Sequence, residues 1–311
     1  MRELVPEDLL PPLTCESRET GVDLKQGATA MSIIDFRLRP ATPAYIEHLN
    51  WRVARHSQAS SSPVGGTFQR ALPPEDLISV MDDLDIRLGV FTGRDWYGDD
   101  PDWPLTNESI SETVGEFSDR FIGMGGVDPR RPDPRQSVHH AISELNLSGI
   151  CVDGFTLGTS PADPKFRTIY EACIEVDVPV VITLGALPGI PGPMDASHPR
   201  HIDEIALRYS DLRIVVSHAA FPFTSELLGV VFRHDNIWME NSFYHFAPGV
   251  APMMVEAANE WVTDRMMFAS AFPSAPLEET IDRLMALPFT EEARQRVFHD
   301  NAAELLGLDH P

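Results

Sequence analysis

The segment Leu212-Arg-Ile-Val-Val-Ser-His218 is a short apolar run rich in β-branched residues, ending on a serine and a histidine. It lies between two stretches with helical spacing. Upstream, residues 200–209 carry Ile202, Ile205, Ala206 and Tyr209 on one face, and downstream, residues 223–232 are again helical. Helix, buried strand and helix in succession form the unit of a parallel sheet, because a parallel strand can return only through a crossover.

The same texture extends in both directions. Strands are expected at residues 32–39, 86–91, 121–127, 149–153, 178–184, 212–218, 237–242 and 265–270. Helices are expected at 74–84, 107–117, 137–145, 165–176, 200–209, 223–232, 250–258, 277–286 and 291–306, with a Ser/Gly/Pro-rich loop at 57–74. Eight strand–helix units predict an α/β fold, a (β/α)8 TIM barrel over residues 31–308, close to the size of about 250 residues usual for that architecture. Residues 1–30, with Pro6, Pro11, Pro12, Gly21 and Gly27 and little apolar period, read as an N-terminal extension. It is either a mobile tail or an arm around a neighbouring subunit.

Charge narrows the function classes. The 311 residues hold 24 Lys+Arg against 47 Asp+Glu, a formal net charge of −23. Nucleic acid and anionic membrane surfaces need basic clusters, and none is present. No apolar run approaches the roughly 18 residues of a membrane span, and the N-terminus lacks an apolar signal core. Three widely spaced cysteines, Cys15, Cys151 and Cys173, suggest neither a disulfide framework nor a metal site, so a cytoplasmic location is expected. Of the 24 basic residues only Lys25 and Lys165 are lysines.

Several segments together carry a family resemblance: His201-Ile-Asp-Glu-Ile-Ala, Tyr209-Ser-Asp-Leu-Arg-Ile-Val-Val-Ser-His-Ala-Ala-Phe-Pro222, His234-Asp-Asn-Ile-Trp-Met-Glu240, Asp264-Arg-Met-Met-Phe-Ala-Ser-Ala-Phe-Pro273 and Asp300-Asn-Ala-Ala-Glu-Leu-Leu-Gly307. As a set they resemble the amidohydrolase-related family, which includes aminocarboxymuconate-semialdehyde decarboxylase and resorcylate decarboxylases. The resemblance implies a TIM barrel and a divalent metal, often zinc. Its ligands would be a His-x-His on the first strand, histidines on the fifth and sixth, and an aspartate on the eighth. Here the matching positions hold Arg37 and Arg39, Thr183, His218 and Ala271. Guanidinium is a permanent cation and does not ligate metals. No metal and no other cofactor is therefore expected.

Arg37 and Arg39 are two residues apart and share a strand face. Facing inward, they would hold a carboxylate or phosphate and stabilise an oxyanion. Facing Asp153 or Glu240, they would form a structural ion network. His218 is the acid/base candidate and Asp153 the second, since both end strands at the expected mouth. Thr183, Glu240 and Ser242 are expected to line the substrate site, the last two orienting an arginine. Tyr244 and His245 are expected in an ordinary surface loop, the alternative being a loop that closes over a ligand, and Cys151 is expected in the core. Trp51, Arg52, Arg94 and Trp96 follow the first two strands and could shape specificity.

The functional expectation is a metal-independent, amidohydrolase-like hydrolase or decarboxylase-like C–C lyase. Its substrate would be a small anionic, carboxylated aromatic compound, and the protein would be a homodimer. Two alternatives stand beside it. One is an inactive relative binding an anionic ligand or a protein. The other is a metal enzyme with ligands relocated to His198, His201 and His218.

Overall fold

The computed structural model describes residues 31–56, 71–95, 97, 103–186 and 192–308. The expected N-terminal extension, most of the 57–74 loop and Trp96 lie outside the described residues, as do the side chains of Trp51 and Arg52. Eight parallel strands pair in chain order: β1 (Ile33–Leu38), β2 (Ile86–Thr92), β3 (Phe121–Gly126), β4 (Ile150–Val152), β5 (Val180–Ile182), β6 (Ile214–Val216), β7 (Ile237–Glu240) and β8 (Met266–Met267). Backbone hydrogen bonds from Phe36 to Phe268 O (2.9 Å), Ala271 to Arg37 O (3.0 Å) and Arg39 to Phe272 O (3.1 Å) join the first strand to the segment after the last. The fold is the expected TIM barrel.

Crossover helices cover the outside. Among them are α2 (Pro74–Asp83), α3 (Asn107–Glu116), α5 (Arg167–Glu175), α6 (Arg200–Arg208), α7 (Thr224–Arg233), α8 (Val250–Glu260) and α9 (Leu277–Met285). A further helix, α1 (Pro43–His56), was not expected, although Tyr45, Ile46 and Leu49 have helical spacing and are buried. Pro43 suits its first turn because the ring presets φ. The expected helix at 137–145 is α4 (Pro134–His139) running into a π-helical turn at His140–Glu144. The last expected helix is likewise α10 (Glu291–Gln295), a π turn and α11 (Asn301–Leu306).

Side-chain alternation fixes what reaches the barrel interior. Val180 and Ile182 of β5, and Ile214 and Val216 of β6, join the outer core against the helices. Val181, Val215, Cys151, Met124, Val90 and Met267 form the inner core, with Ala302, Ala303 and Leu305 of α11 packed against it. Two residues further along each strand, the same inner face presents Asp153, Thr183 and Ser217. The strands are shorter than expected because pairing ends there, where the chain turns away to build the mouth.

β1 departs from this rule. Ile34 and Phe36 belong to the inner core, whereas Leu38 joins the outer one. The pairing with β2 shifts register between Asp35 and Leu38. A one-residue irregularity exchanges the two faces of a strand. It turns Arg37 inward after Phe36.

Candidate active site

Arg37 reaches across the barrel mouth. Its Nη1 donates to Ser217 Oγ at 3.2 Å and lies 3.3 Å from Glu240 Oε1. Both side chains are almost completely buried, so this ion pair is shielded from water. Glu240 Oε1 also accepts the His218 backbone N–H at 3.1 Å, and Oε2 accepts from Ser242 Oγ. Every contact of this carboxylate comes from a donor, and the adjacent guanidinium favours its ionised form. Burial raises its proton affinity, and Arg37 beside it opposes the rise.

Arg39 is different. It is 5% exposed, and its Nε and Nη2 are buried without a hydrogen-bond partner. No carboxylate among the described residues pairs with it. Burial lowers its pKa to about 10, with Arg37 and Arg94 adding repulsion, yet it remains a cation at neutral pH. A buried guanidinium with open donors is costly unless an anion meets it.

Arg94, just past β2, is the third cation. Its Nη1 lies 3.4 Å from Asp153 Oδ2. Asp153 also accepts from Thr156, through the backbone N–H at 3.0 Å and the hydroxyl at 2.8 Å. Asp153 therefore holds a turn and a guanidinium, and its second partner is Arg94, not Arg39. Gly126 makes room for this crossing. A Cβ there would lie 2.3 Å from the Arg94 carbonyl carbon. Arg94, Asp153, Thr183 and Cys151 border a cavity of about 10 Å³, room for about one water. Arg94 also borders a wider cleft of about 700 Å³ with Asp95, Trp103, Asn107 and Arg131. Cys151 is buried as expected, and burial pushes its thiol up to about 11 despite the three arginines.

His218 follows β6 in a left-handed backbone conformation, φ 60°, continued by Ala219 at 46° and Ala220 at 47°. Each such residue costs about 1 kcal/mol or more outside glycine. The Glu240 carboxylate on the His218 N–H and a Phe221 N–H bond to His218 O hold the turn. Gly185, itself at φ 107°, lets this turn close, since a Cβ there would lie 3.1 Å from His218 Cβ. The imidazole is 2% exposed, and burial first, then Arg37, Arg94 and Arg39, drive its pKa well below the usual value. It is a neutral base. Its ring meets Tyr244 edge-on at 5.6 Å.

Tyr244 and His245, expected on the surface, are 5% and 6% exposed. Tyr244 donates to Ala186 O at 2.6 Å and stacks on Phe221. His245 Nδ1 bonds Ser242 O, and burial lowers its pKa to about 4. The aromatic residues of this turn serve as packing between strand ends, which is why they are not exposed.

His198 and His201 stay at the start of α6. His198 Nδ1 accepts the Arg200 N–H at 3.2 Å, and His201 Nε2 is 3.0 Å from Asp195 O. Among the described residues no group of three or more His, Cys, Asp or Glu side chains is arranged to hold a metal ion. No helix among them is long and apolar enough to cross a membrane. Ser217 and Asp35 were not singled out from sequence. Ser217 was legible by alternation from Val215. Asp35 Oδ1 accepts the Arg37 N–H at 3.1 Å and the Ser270 N–H at 2.9 Å, stitching the barrel seam.

A strand-end site inside an eight-stranded parallel barrel is the setting of a TIM-barrel enzyme. Residues 55–308 match the family model described as amidohydrolase. The chain belongs to the amidohydrolase family. Among solved structures, an uncharacterised TIM-barrel protein from Bordetella bronchiseptica is 24% identical, covering 89% of this chain and 98% of that one, with a TM-score of 0.73. A 5-carboxyvanillate decarboxylase from Novosphingobium aromaticivorans, complexed with manganese and 4-hydroxy-3-methoxy-5-nitrobenzoic acid, is 20% identical, covering 92% and 99%, with a TM-score of 0.69. A 2,6-dihydroxybenzoate decarboxylase complexed with 2,6-dihydroxybenzoate is 16% identical, covering 89% and 100%, with a TM-score of 0.67. No curated protein sequence matches the chain.

Proposed function

We propose that the chain is a hydrolase or decarboxylase-type C–C lyase acting on a small carboxylated aromatic compound, with no metal ion in the barrel mouth. The observation that carries this reading is Arg39, a buried guanidinium with open donors at Nε and Nη2. A planar carboxylate is the natural complement of that fork. The complexes of the two decarboxylases with benzoic-acid ligands support the same substrate class.

The residues at the mouth do not suit a divalent cation. Arg37 and Arg39 would repel one, Thr183 and Ala271 offer no strong ligand, and His218 supplies one imidazole. The fixed positive charge that a metal would bring is instead supplied by guanidinium groups. Arg37, held by Glu240 and Ser217, provides a field for developing negative charge, while Arg39 anchors the carboxylate.

His218 moves the proton. A neutral imidazole can remove a proton from water or substrate and return it to a leaving group or ring carbon. A carboxylate on Arg39 cancels one of the charges that depress its basicity, so substrate binding itself makes His218 a better base. Asp153 and Thr183 position Arg94 and the cavity wall, and Ser242 orients Glu240.

The test is a turnover screen of hydroxylated and methoxylated benzoates with metal-stripped protein, followed by Arg39→Ala and His218→Ala. Loss of turnover in both variants is expected. Turnover retained in both overturns the reading.

A further inference from the structure

Charge balance around Arg39 carries a finer statement, resting on the proposed anion site. Arg39 feels the repulsion of both Arg37 and Arg94, and Arg37 that of Arg94. Two carboxylates answer them. Glu240 pairs with Arg37 and Asp153 with Arg94. Each carboxylate faces its guanidinium and also accepts hydrogen bonds from neighbouring donors. The neighbouring Asp95 and Asp128 are matched by Arg131 and Arg130. The aspartate nearest in sequence, Asp35, is turned to backbone N–H groups of the barrel seam, and burial favours its protonated, uncharged form. Among the described residues, the mouth therefore holds one uncompensated positive charge, on Arg39.

We infer that the site takes a singly charged anion, a monocarboxylate seated on Arg39, and discriminates against a ligand with a second ionised group. The first carboxylate brings the buried cluster to neutrality and satisfies open donors. A second would enter a shielded site with no cation left to meet it, and an unpaired charge there is strongly disfavoured. An amide of the same shape in place of the second carboxylate is accepted.

The experiment is calorimetric titration of the metal-free full chain with benzoate, 3-carbamoylbenzoate and isophthalate. The last two share a shape and differ by one charge. Benzoate and 3-carbamoylbenzoate are expected to bind, and isophthalate about tenfold or more weakly. Asp153→Asn adds one uncompensated positive charge and is expected to narrow that gap. If isophthalate binds as tightly as 3-carbamoylbenzoate, or fails equally beside bound benzoate, the single-charge assignment is wrong while the anion site stands. If Asp153→Asn folds and leaves the ratio unchanged, the charge count is also wrong. Absence of benzoate binding overturns the anion site itself, and this inference with it.

Discussion

Arg37 and Glu240 form a buried ion pair across the barrel mouth, 3.3 Å between Nη1 and Oε1, with 2% and 0% side-chain exposure. The pair joins the first strand to the seventh, and through the His218 N–H it also fixes the turn after the sixth. Taking both ions out of water is expensive, so the pair is worth little against an apolar replacement, but breaking it is costly. Glu240→Gln is therefore expected to destabilise the fold by about 3 kcal/mol, because it leaves Arg37 unanswered. Arg37→Met combined with Glu240→Leu is expected to recover much of that loss. Urea unfolding of the two proteins checks both. A double variant no more stable than Glu240→Gln would count against the charge-pairing account.

Much of this site is readable from alternation alone. Val181, Val215 and Cys151 face inward, so Thr183, Ser217 and Asp153 follow by counting two. The first strand defeats that count. Phe36 faces inward, and by parity Arg37 should face the helices. The register shift between Asp35 and Leu38 reverses the faces, and nothing in the composition of Ile33–Leu38 announces it. Family resemblance, not periodicity, is what marked Arg37 and Arg39. The pairing of Asp153 was equally hidden. Sequence offered Arg39 as its partner, but the chain after β2 crosses over Gly126 and brings Arg94 there first. That substitution of partners is what leaves Arg39 open.

Arg39 sets stability against binding. Its open donors and lost hydration are a cost to the folded state. Arg39→Met keeps much of the volume and removes the charge. It is expected to raise the unfolding free energy by on the order of 1 kcal/mol, read as a higher urea midpoint, and to abolish the stabilisation that benzoate gives the parent protein. Arg39→Lys keeps the charge but loses the fork, so benzoate binding is expected to weaken without disappearing. A methionine variant that is less stable than the parent, or that still responds to benzoate, would sink the assignment of Arg39 as the anchor.

The metal question has a direct readout. With two guanidinium groups at the first-strand positions, added zinc or manganese should not stabilise the fold, and chelator treatment should change neither the melting temperature nor any turnover found. A ligand that binds only the folded state must raise its stability by mass action. A saturable rise in melting temperature with either ion, lost in His218→Ala, would place a metal in the mouth and overturn the metal-independent proposal.

Asp35 gives the fold an unusual pH response. Its Oδ1 accepts two backbone N–H bonds at the β1–β8 seam, while Oδ2 is buried without a partner. Burial raises its pKa from 3.8 to about 7, and Glu240 adds to the rise. Between those values the folded chain holds a proton that the unfolded chain has lost. Stability from this group is therefore complete below about pH 4 and declines as pH climbs through 7. Asp35→Asn retains an acceptor oxygen for the seam and removes the titration. The stability of the parent minus that of Asp35→Asn is expected to fall from pH 4.5 to pH 8, by roughly 3 kcal/mol at most. Urea midpoints at several pH values measure it, and the subtraction cancels the titration of Glu240 and of the acidic surface. A difference that stays flat, or grows with pH as for an ordinary paired aspartate, would mean that Asp35 is already ionised within the folded barrel.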